Sequence, residues 1–282
     1  MTQIQHQISD WFGLSMTAGS QQTFVIGDIH GQGDVLEGVL SQVARTPRYC
    51  RERILIFLGD IIDRGPKSLK AIDLVLEACS VADVDKVVVL PGNHELMLAA
   101  GIDSPMDHLP GWLDNGGERV LEEAFPGRSA RQLNDLSQMA KDAVGQRFLQ
   151  TIHASPSYYQ QGDVVFVHGG LDPSEPTGDF LAKPKFGPWS GEHWAWIREA
   201  FLDWTQGWRS PTGERCMVIH GHTPVVQTLL PLSEFIGRAD KLKSHDRLCL
   251  DAGAAMVPQI AWAEFYKQSY RIALSANTNT TP

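Results

Sequence analysis

The sequence predicts an α/β fold built on parallel strands joined by crossover helices. Apolar runs of strand length recur, and each runs straight into a glycine-flanked polar turn. A helical period follows the early turns, and strands resume after a long polar, helical stretch. The pattern is clearest in Leu55-Ile56-Phe57-Leu58-Gly59-Asp60-Ile61-Ile62-Asp63-Arg64-Gly65. Its unbroken apolar start suits a strand buried on both faces. Adjacent Asp and Arg at its end are costly to bury unpaired, so the cluster has no packing purpose. In open α/β sheets ligands bind beyond the carboxyl ends of the strands, which is where Asp60, Asp63 and Arg64 stand.

Taken in order, Thr23-Phe24-Val25-Ile26 is a strand ending in Gly27-Asp28-Ile29-His30-Gly31. Val35, Leu36, Val39, Leu40 and Val43 then follow with helical spacing. Ile54 to Leu58 is the second strand. After Gly65-Pro66, with Pro placed to open a helix, Leu69, Ile72, Leu74, Val75 and Leu76 form a second amphipathic helix. Lys86 to Leu90 is the third strand, ending in Pro91-Gly92-Asn93-His94-Glu95. From 96 to 161 the pattern is helical and polar, with Trp112 to Gly117 as a helix stop, and we expect a helical insertion over the sheet. Val164 to Val167 then ends in His168-Gly169-Gly170, and Met217 to Ile219 in His220-Gly221-His222-Thr223-Pro224. Arg247 to Leu250 ends in Asp251-Ala252-Gly253, and Gln259 to Tyr266 reads as a closing edge strand. Residues 1–22 read as an N-terminal extension, 23–274 as one domain and 275–282 as a disordered tail.

The 282 residues are 43% apolar and 20% charged, as in an ordinary globular protein. No apolar run approaches the roughly 18 residues of a bilayer span, and Met1 to Gln22 lacks a secretory signal. Cys50, Cys79, Cys216 and Cys249 form no CxxC pair. They read as reduced core thiols, which points to the cytoplasm. A net charge of -9 excludes nucleic acid as a partner, but not a small phosphorylated substrate.

Candidate ligands stand at five strand ends: Asp28 and His30, Asp60, Asn93, His168, and one histidine of His220-Gly221-His222. Asp, Asn and His without Cys suit a borderline-to-hard divalent ion such as Mn²⁺, Fe²⁺ or Zn²⁺. Six ligands exceed a tetrahedral site and match two sites that share a carboxylate. Two ions about 3.5–4 Å apart can clamp a phosphoryl group and lower the pKa of a water. Taken alone, Asp28 or Asp60 would be a helix cap and Asn93 a turn residue. The ordered set favours metal binding over those readings. Trp194, Ile197, Phe201 and Trp204 are spaced as a core-facing helical stripe, whereas Trp189 and Trp208 fall outside it and suit a cleft wall.

Gly27-Asp28-Ile29-His30-Gly31, Gly59-Asp60-Ile61-Ile62-Asp63-Arg64-Gly65, Gly92-Asn93-His94-Glu95, His168-Gly169-Gly170 and Gly221-His222-Thr223 resemble the signatures of the PPP-type (calcineurin-like) metallophosphoesterases. The chain looks most like the short bacterial and phage protein phosphatases, over roughly residues 23 to 262. The resemblance implies a central β-sandwich flanked by helices and two divalent ions, Mn²⁺ first, with iron or zinc as alternatives. Asp28, His30 and Asp60 would hold the first ion, and Asp60, Asn93, His168 and His222 the second. His94 would be the general acid, oriented by Asp63. Arg64 would grip phosphate with Arg198, which otherwise reads as a solvated helix residue, and Glu95 would order its loop. The implied reaction is in-line attack on a phosphomonoester by a hydroxide held on the ions.

Two ions, two aspartates and one hydroxide leave about one positive charge, and two arginines add about two more, a field suited to a phosphate dianion. The implied substrate is a phosphorylated protein or a small phosphoester. The resemblance leaves open a symmetrical dinucleoside tetraphosphate hydrolase, from which Asp63 and Glu95 depart. It also leaves open a catalytically silent phosphate-binding scaffold, which would lack a ligand that this chain has. The basic stretch Gly237 to Arg247 lacks the Tyr-containing loop of the eukaryotic protein phosphatases.

Overall fold

The computed structural model describes residues 3–128, 132–187 and 189–278. One sheet runs β1 (Ile4–Ile8), β13 (Ser269–Asn277), β12 (Gln259–Tyr266), β3 (Gln22–Ile26), β4 (Arg53–Phe57) and β5 (Lys86–Val89), with β2 (Phe12–Gly13) paired to β13. The other runs β10 (Asp240–Lys241), β11 (Arg247–Cys249), β9 (Arg215–His220), β7 (Val164–Val167) and β6 (Tyr158–Gln161), with β8 (Trp208–Arg209) paired to β9.

The apolar runs are continuous because each strand divides its side chains between two cores. Val25, Ile56 and Leu58 meet Phe166, Ile219 and Leu250 between the sheets. Phe24, Ile26, Leu55 and Phe57 face outward onto helices. On the outer face of the second sheet, Val165, Val167 and Val218 pack against Phe180, Trp194 and Phe201. This is a β-sandwich covered on both sides, so alternate positions are all buried.

Helix α1 (Gly33–Arg45) buries Val35, Leu36, Val39, Leu40 and Val43, the stripe its spacing predicts. Helices α2 (Ser68–Leu76) and α3 (Ala78–Val81) follow β4. After β5 come α4 (Asn93–Asp103), α5 (Pro105–Trp112), a π-helical turn at Leu113–Gly117, α6 (Glu118–Ala124) and α7 (Leu133–Ala154). Leu98, Leu109, Trp112, Val120, Phe148 and Ile152 bring this helical layer into the outer core of the first sheet.

Strands β3, β4 and β5 are parallel, with Ile26, Phe57 and Val89 level. Strands β7, β9 and β11 are also parallel, with Phe166, Ile219 and Leu248 level. Their polar turns therefore leave the sandwich together.

Several expected boundaries differ. Residues 4–8 and 12–13 are not an appendage, because β1 and β2 pair with β13. Ser275 to Asn277, expected in a disordered tail, end β13, where Ser275 is fully buried; 279–282 lie outside the described residues. Strand β12 is interior, since β13 and β3 flank it. The insertion is helical only to Ala154, and 158–161 form β6. The helix stop expected over 112–117 is present: Gly116 (φ 104°) leaves the helical region and divides α5 from α6. Cys216 and Cys249 are core thiols, whereas Cys79 is exposed and Cys50 half-buried. Trp208 is buried against Phe201 and Trp204 and also lines a cavity of about 480 Å³ with Asp172 and Pro173, apart from Asp60 and its histidines. The Trp194–Trp204 stripe is core-facing although only Glu199–Leu202 is helical. No helix among the described residues is long and apolar enough to cross a membrane.

Candidate active site

The turns beyond β3, β4, β5, β7 and β9 are tight and unusual in backbone. Of eight non-glycine residues with positive φ among the described residues, five lie here: His30 (42°), Asp60 (49°), Asp63 (71°), Arg64 (68°) and His222 (66°). Each such conformation costs on the order of 1–3 kcal/mol and persists only where surrounding contacts impose it. Glycine makes the close approaches possible. A Cβ on Gly221 would lie 1.9 Å from Asp28 Oδ1, and one on Gly92 would lie 2.1 Å from Asp60 Oδ1.

Three imidazoles are set as ligands normally are. One ring nitrogen of each faces a backbone carbonyl: His30 Nδ1 and Ile62 O (3.1 Å), His168 Nδ1 and Leu58 O (2.9 Å), His222 Nε2 and Trp196 O (3.2 Å). Donation to those carbonyls fixes the tautomer and leaves the other nitrogen as a lone-pair donor. His30 Nε2 then lies 3.5 Å from Asp60 Oδ2, and His168 Nε2 lies 3.4 Å from Asp60 Oδ1. Asp60 thus faces one histidine with each oxygen, the geometry of a carboxylate shared between two sites. Asn93 Oδ1 is 3.2 Å from His168 Nε2.

Asp60 with His168 and His222, and Asp60 with His30 and His94, each bring ligand atoms within 4.8 Å of one another, so each group could hold a cation. Asp28 lies outside both groups, its oxygens accepting the His222 N–H at 3.0 and 3.2 Å. Burial first, then the charges of Asp251 and Asp60, hold its carboxyl well above the usual range. Burial lowers His30 to about 3, and burial with the nearby His168 lowers His222 well below its usual value. Against burial, the Asp60 charge and hydrogen bond raise His168, so it is His30 and His222 that are held neutral; imidazoles beside crowded buried carboxylates are a donor set that fits divalent cations.

His94 is held from two sides. It sits in the first turn of α4, and its N–H donates to Asp60 Oδ1 at 3.1 Å. Its Nδ1 is 2.7 Å from Asp63 Oδ2. Trp112 Nε1 donates to the same Asp63 carboxylate at 2.9 and 3.1 Å. Burial opposes charge on His94, but the Asp60 charge and the Asp63 hydrogen bond outweigh it and raise its pKa. Glu95 carries the turn itself. Its carboxylate accepts the N–H groups of Asp60 and Gly92 at 2.8 Å on Oε2, and of Ile61 and Ile62 at 2.8 and 3.3 Å on Oε1.

Both predicted arginines are exposed at this centre. Arg64 donates from its backbone to Gly116 O (3.3 Å) and from Nε to Asn115 O (3.2 Å), so the π turn anchors it. Its charge lowers the pKa of His30, and that of Arg198 lowers the pKa of His222. The two guanidiniums therefore stand by different histidines. Trp189 stacks on Trp196 at 4.7 Å, and Trp196 supplies the carbonyl that meets His222. His220 takes no part: its Nδ1 faces Gly221 O, and its buried Nε2 has no partner.

His30, His94, His168 and His222 lie around Asp60 with Asp28 nearby, Asn93 meets His168, Asp63 meets His94, and Arg64 and Arg198 stand by His30 and His222. Trp112 and Asp251 escaped the sequence reading. Asp251 had a signal, since it ends β11 as the other site residues end their strands, and it is buried close enough to Asp28 for their charges to interact. Trp112 had none, because its contact with Asp63 is set by how the helical layer folds back.

Comparison with known proteins identifies the family. The family described as calcineurin-like phosphoesterase matches residues 22–256. The asymmetrical bis(5'-nucleosyl)-tetraphosphatase PrpE of Bacillus subtilis is 27% identical over 212 residues, 71% of this chain and 78% of its own. The protein of the same name from Oceanobacillus iheyensis is 25% identical, covering 72% and 77%. A probable serine/threonine-protein phosphatase of Encephalitozoon cuniculi is 27% identical over 57% of this chain and 29% of its own. A crystal structure of a candidate diadenosine tetraphosphatase shares the fold, with TM-score 0.51, 16% identity and coverage of 90% and 94%. With the family match spanning the turns that carry all ten expected residues, the chain belongs to the calcineurin-like phosphoesterases.

Proposed function

We propose that this phosphoesterase hydrolyses a dinucleoside tetraphosphate asymmetrically, giving a nucleoside triphosphate and a nucleoside monophosphate. The observation that carries the reading is the similarity to asymmetrical bis(5'-nucleosyl)-tetraphosphatases over about three-quarters of their length. It favours asymmetrical cleavage over the symmetrical alternative that the sequence left open. The Trp189–Trp196 stack beside His222 supports a substrate with an aromatic base.

In this reading Asp28, His30 and Asp60 would hold one divalent cation, and Asp60, Asn93, His168 and His222 another, Mn²⁺ before iron or zinc. Such ions would supply Lewis-acid chemistry to the phosphoryl group and to water. Arg64 and Arg198 bind the non-bridging oxygens, bidentate geometry being the reason for Arg over Lys. Asp63 accepts the Nδ1 proton of His94 and so stabilises the imidazolium, whose Nε2 proton goes to the leaving oxygen. The four separate thiols support a reducing, cytoplasmic setting.

A second reading rests on that acid. A departing nucleotide phosphate needs little protonation, whereas a departing alkoxide needs a proton. The His94–Asp63–Trp112 arrangement is therefore most useful for phosphomonoesters of alcohols, including phosphoserine in a protein. With Mn²⁺, kcat/KM is compared for diadenosine tetraphosphate, p-nitrophenyl phosphate and a phosphoserine peptide, and the products are resolved by chromatography. ATP plus AMP from the tetraphosphate, at the highest kcat/KM, is expected. Two ADP, or a preference for the peptide, would reject the first reading.

A further inference from the structure

A cavity of about 710 Å³ opens beside the N-terminal turn of α1, and none of the residues assigned above lines it. Its walls come from the loops that leave the metal centre. Gly31 follows His30, and Pro66 lies just past Arg64. Thr228 and Leu229 belong to the loop that begins at His222, and Met256 to the one that begins at Asp251. Gly31 is one chain step, about 3.8 Å, from His30, so the near wall of the cavity adjoins the candidate metal site.

Two hydrogen bonds brace these walls. Gln32 Nε2 donates to Ala254 O at 2.9 Å, and Gln259 Nε2 donates to Thr228 O at 3.2 Å. The mouth is apolar where a surface is normally not. Of the five large hydrophobic side chains exposed among the described residues, two stand here, Leu229 at 41% and Met256 at 49%. Val35 and Val257 continue the apolar lining, with Gln227, Thr228 and the Asp34–Lys67 ion pair also on the wall.

We infer that this cavity binds the nucleoside end of the substrate, with the heterocycle between the Leu229 and Met256 side chains. The inference rests on the nucleotide reading above and places one of the substrate's two bases here, leaving the other to the Trp189–Trp196 stack. A preformed, largely apolar recess with a few polar groups is the usual form of a small-molecule site. A thioether and a branched aliphatic side chain suit the faces of a flat heterocycle. Gln227 and Thr228 offer donors and acceptors to its edge. A phosphate without a nucleoside would gain nothing from this recess, so selectivity for nucleotides would arise here while the chemistry stays at Asp60.

The test uses the full chain with Mn²⁺ and two readouts. In the first, methyl-¹³C-methionine NMR follows a titration with adenosine, which carries no phosphate and needs no turnover. The Met256 methyl, assigned by Met256→Leu, is expected to shift, while Met106, exposed elsewhere, stays still. In the second, Leu229→Ala/Met256→Ala, both at exposed positions, is expected to raise KM for diadenosine tetraphosphate about tenfold and to leave p-nitrophenyl phosphate kinetics unchanged. A silent Met256 methyl overturns the inference, as does an equal loss on both substrates or no change on either. A shifted Met256 methyl in an enzyme that does not cleave the tetraphosphate would keep the nucleoside site and reject the proposed reaction.

Discussion

The indole Nε1 of Trp112 donates to both oxygens of Asp63, at 3.1 Å to Oδ1 and 2.9 Å to Oδ2. Both residues are fully buried, and the bond joins the helical layer to the turn beyond β4. Asp63 has one further partner of consequence, His94 Nδ1. Trp112 thus sets the angle at which Asp63 holds the imidazole. Trp112→Phe keeps most of the packing and removes the donor. A hydrogen bond to a charged group contributes about 1.5–3 kcal/mol, so kcat on an alkyl phosphate should fall about tenfold or more with KM little changed. An unchanged kcat in steady-state assays would separate Trp112 from the acid.

His94 lies within 4.8 Å of His30 and Asp60, so geometry alone would also let it ligate. The proposed role as acid separates the two. His94→Asn should retain two ions per chain by elemental analysis while kcat falls by about 10²–10⁴. Loss of one ion would make His94 a ligand instead.

The Asp63–His94 bond also gives a pH signature. Burial lowers the His94 pKa, but the Asp60 charge and the Asp63 hydrogen bond raise it further. An acid must be protonated to act, so activity falls as pH rises through that pKa. Asp63→Asn removes one raising influence and leaves burial in place. The alkaline limb of the kcat profile should therefore move to lower pH, and a limb that stays in place would assign it to another group.

What the sequence could show depended on distance along the chain. Asp28, Asp60, Asn93, His168 and His222 were legible because each follows its strand end directly and level parallel strands carry all five ends to one point. The alternating cores were legible in the unbroken apolar runs. Strand β13 was not, because Ser269–Asn277 mixes Ser, Arg and Asn into a strand stabilised by pairing with β1 and β12. Tertiary pairing overrides composition there. The packing of Trp208 on Phe201 was not legible either, because no local spacing signals it.

The neighbouring histidines of β9 should behave differently when replaced. His222 shares a 4.8 Å group with Asp60 and His168, whereas His220 packs its ring on Phe201. His222→Ala should weaken binding of the second ion, and His220→Leu should not. Burial depresses His220 to about 3, so it is neutral in the fold but protonates near 6.5 when unfolded. Its contribution is present above pH 6.5 and is lost as pH falls toward 3, about 2 kcal/mol by pH 5. His220→Leu should accordingly flatten the decline of Tm between pH 6.5 and 5. The opposite pattern of metal loss would exchange the roles of the two residues.

Glu95 meets four backbone N–H groups from both the β4 and β5 turns, which only an acceptor can satisfy. Burial and the Asp60 charge push its carboxyl up to about 7, so the residue sits near the limit of remaining ionised at neutral pH. Glu95→Gln replaces one oxygen with an N–H₂ that faces donors. Amides left unsatisfied in the core cost about 1–3 kcal/mol each. The variant should therefore lose at least that much stability in urea unfolding and bind Mn²⁺ more weakly, because the turn that holds Asp60 at positive φ would relax. If Glu95→Gln unfolds at the same urea concentration and keeps both ions, the turn is held by something other than this carboxylate.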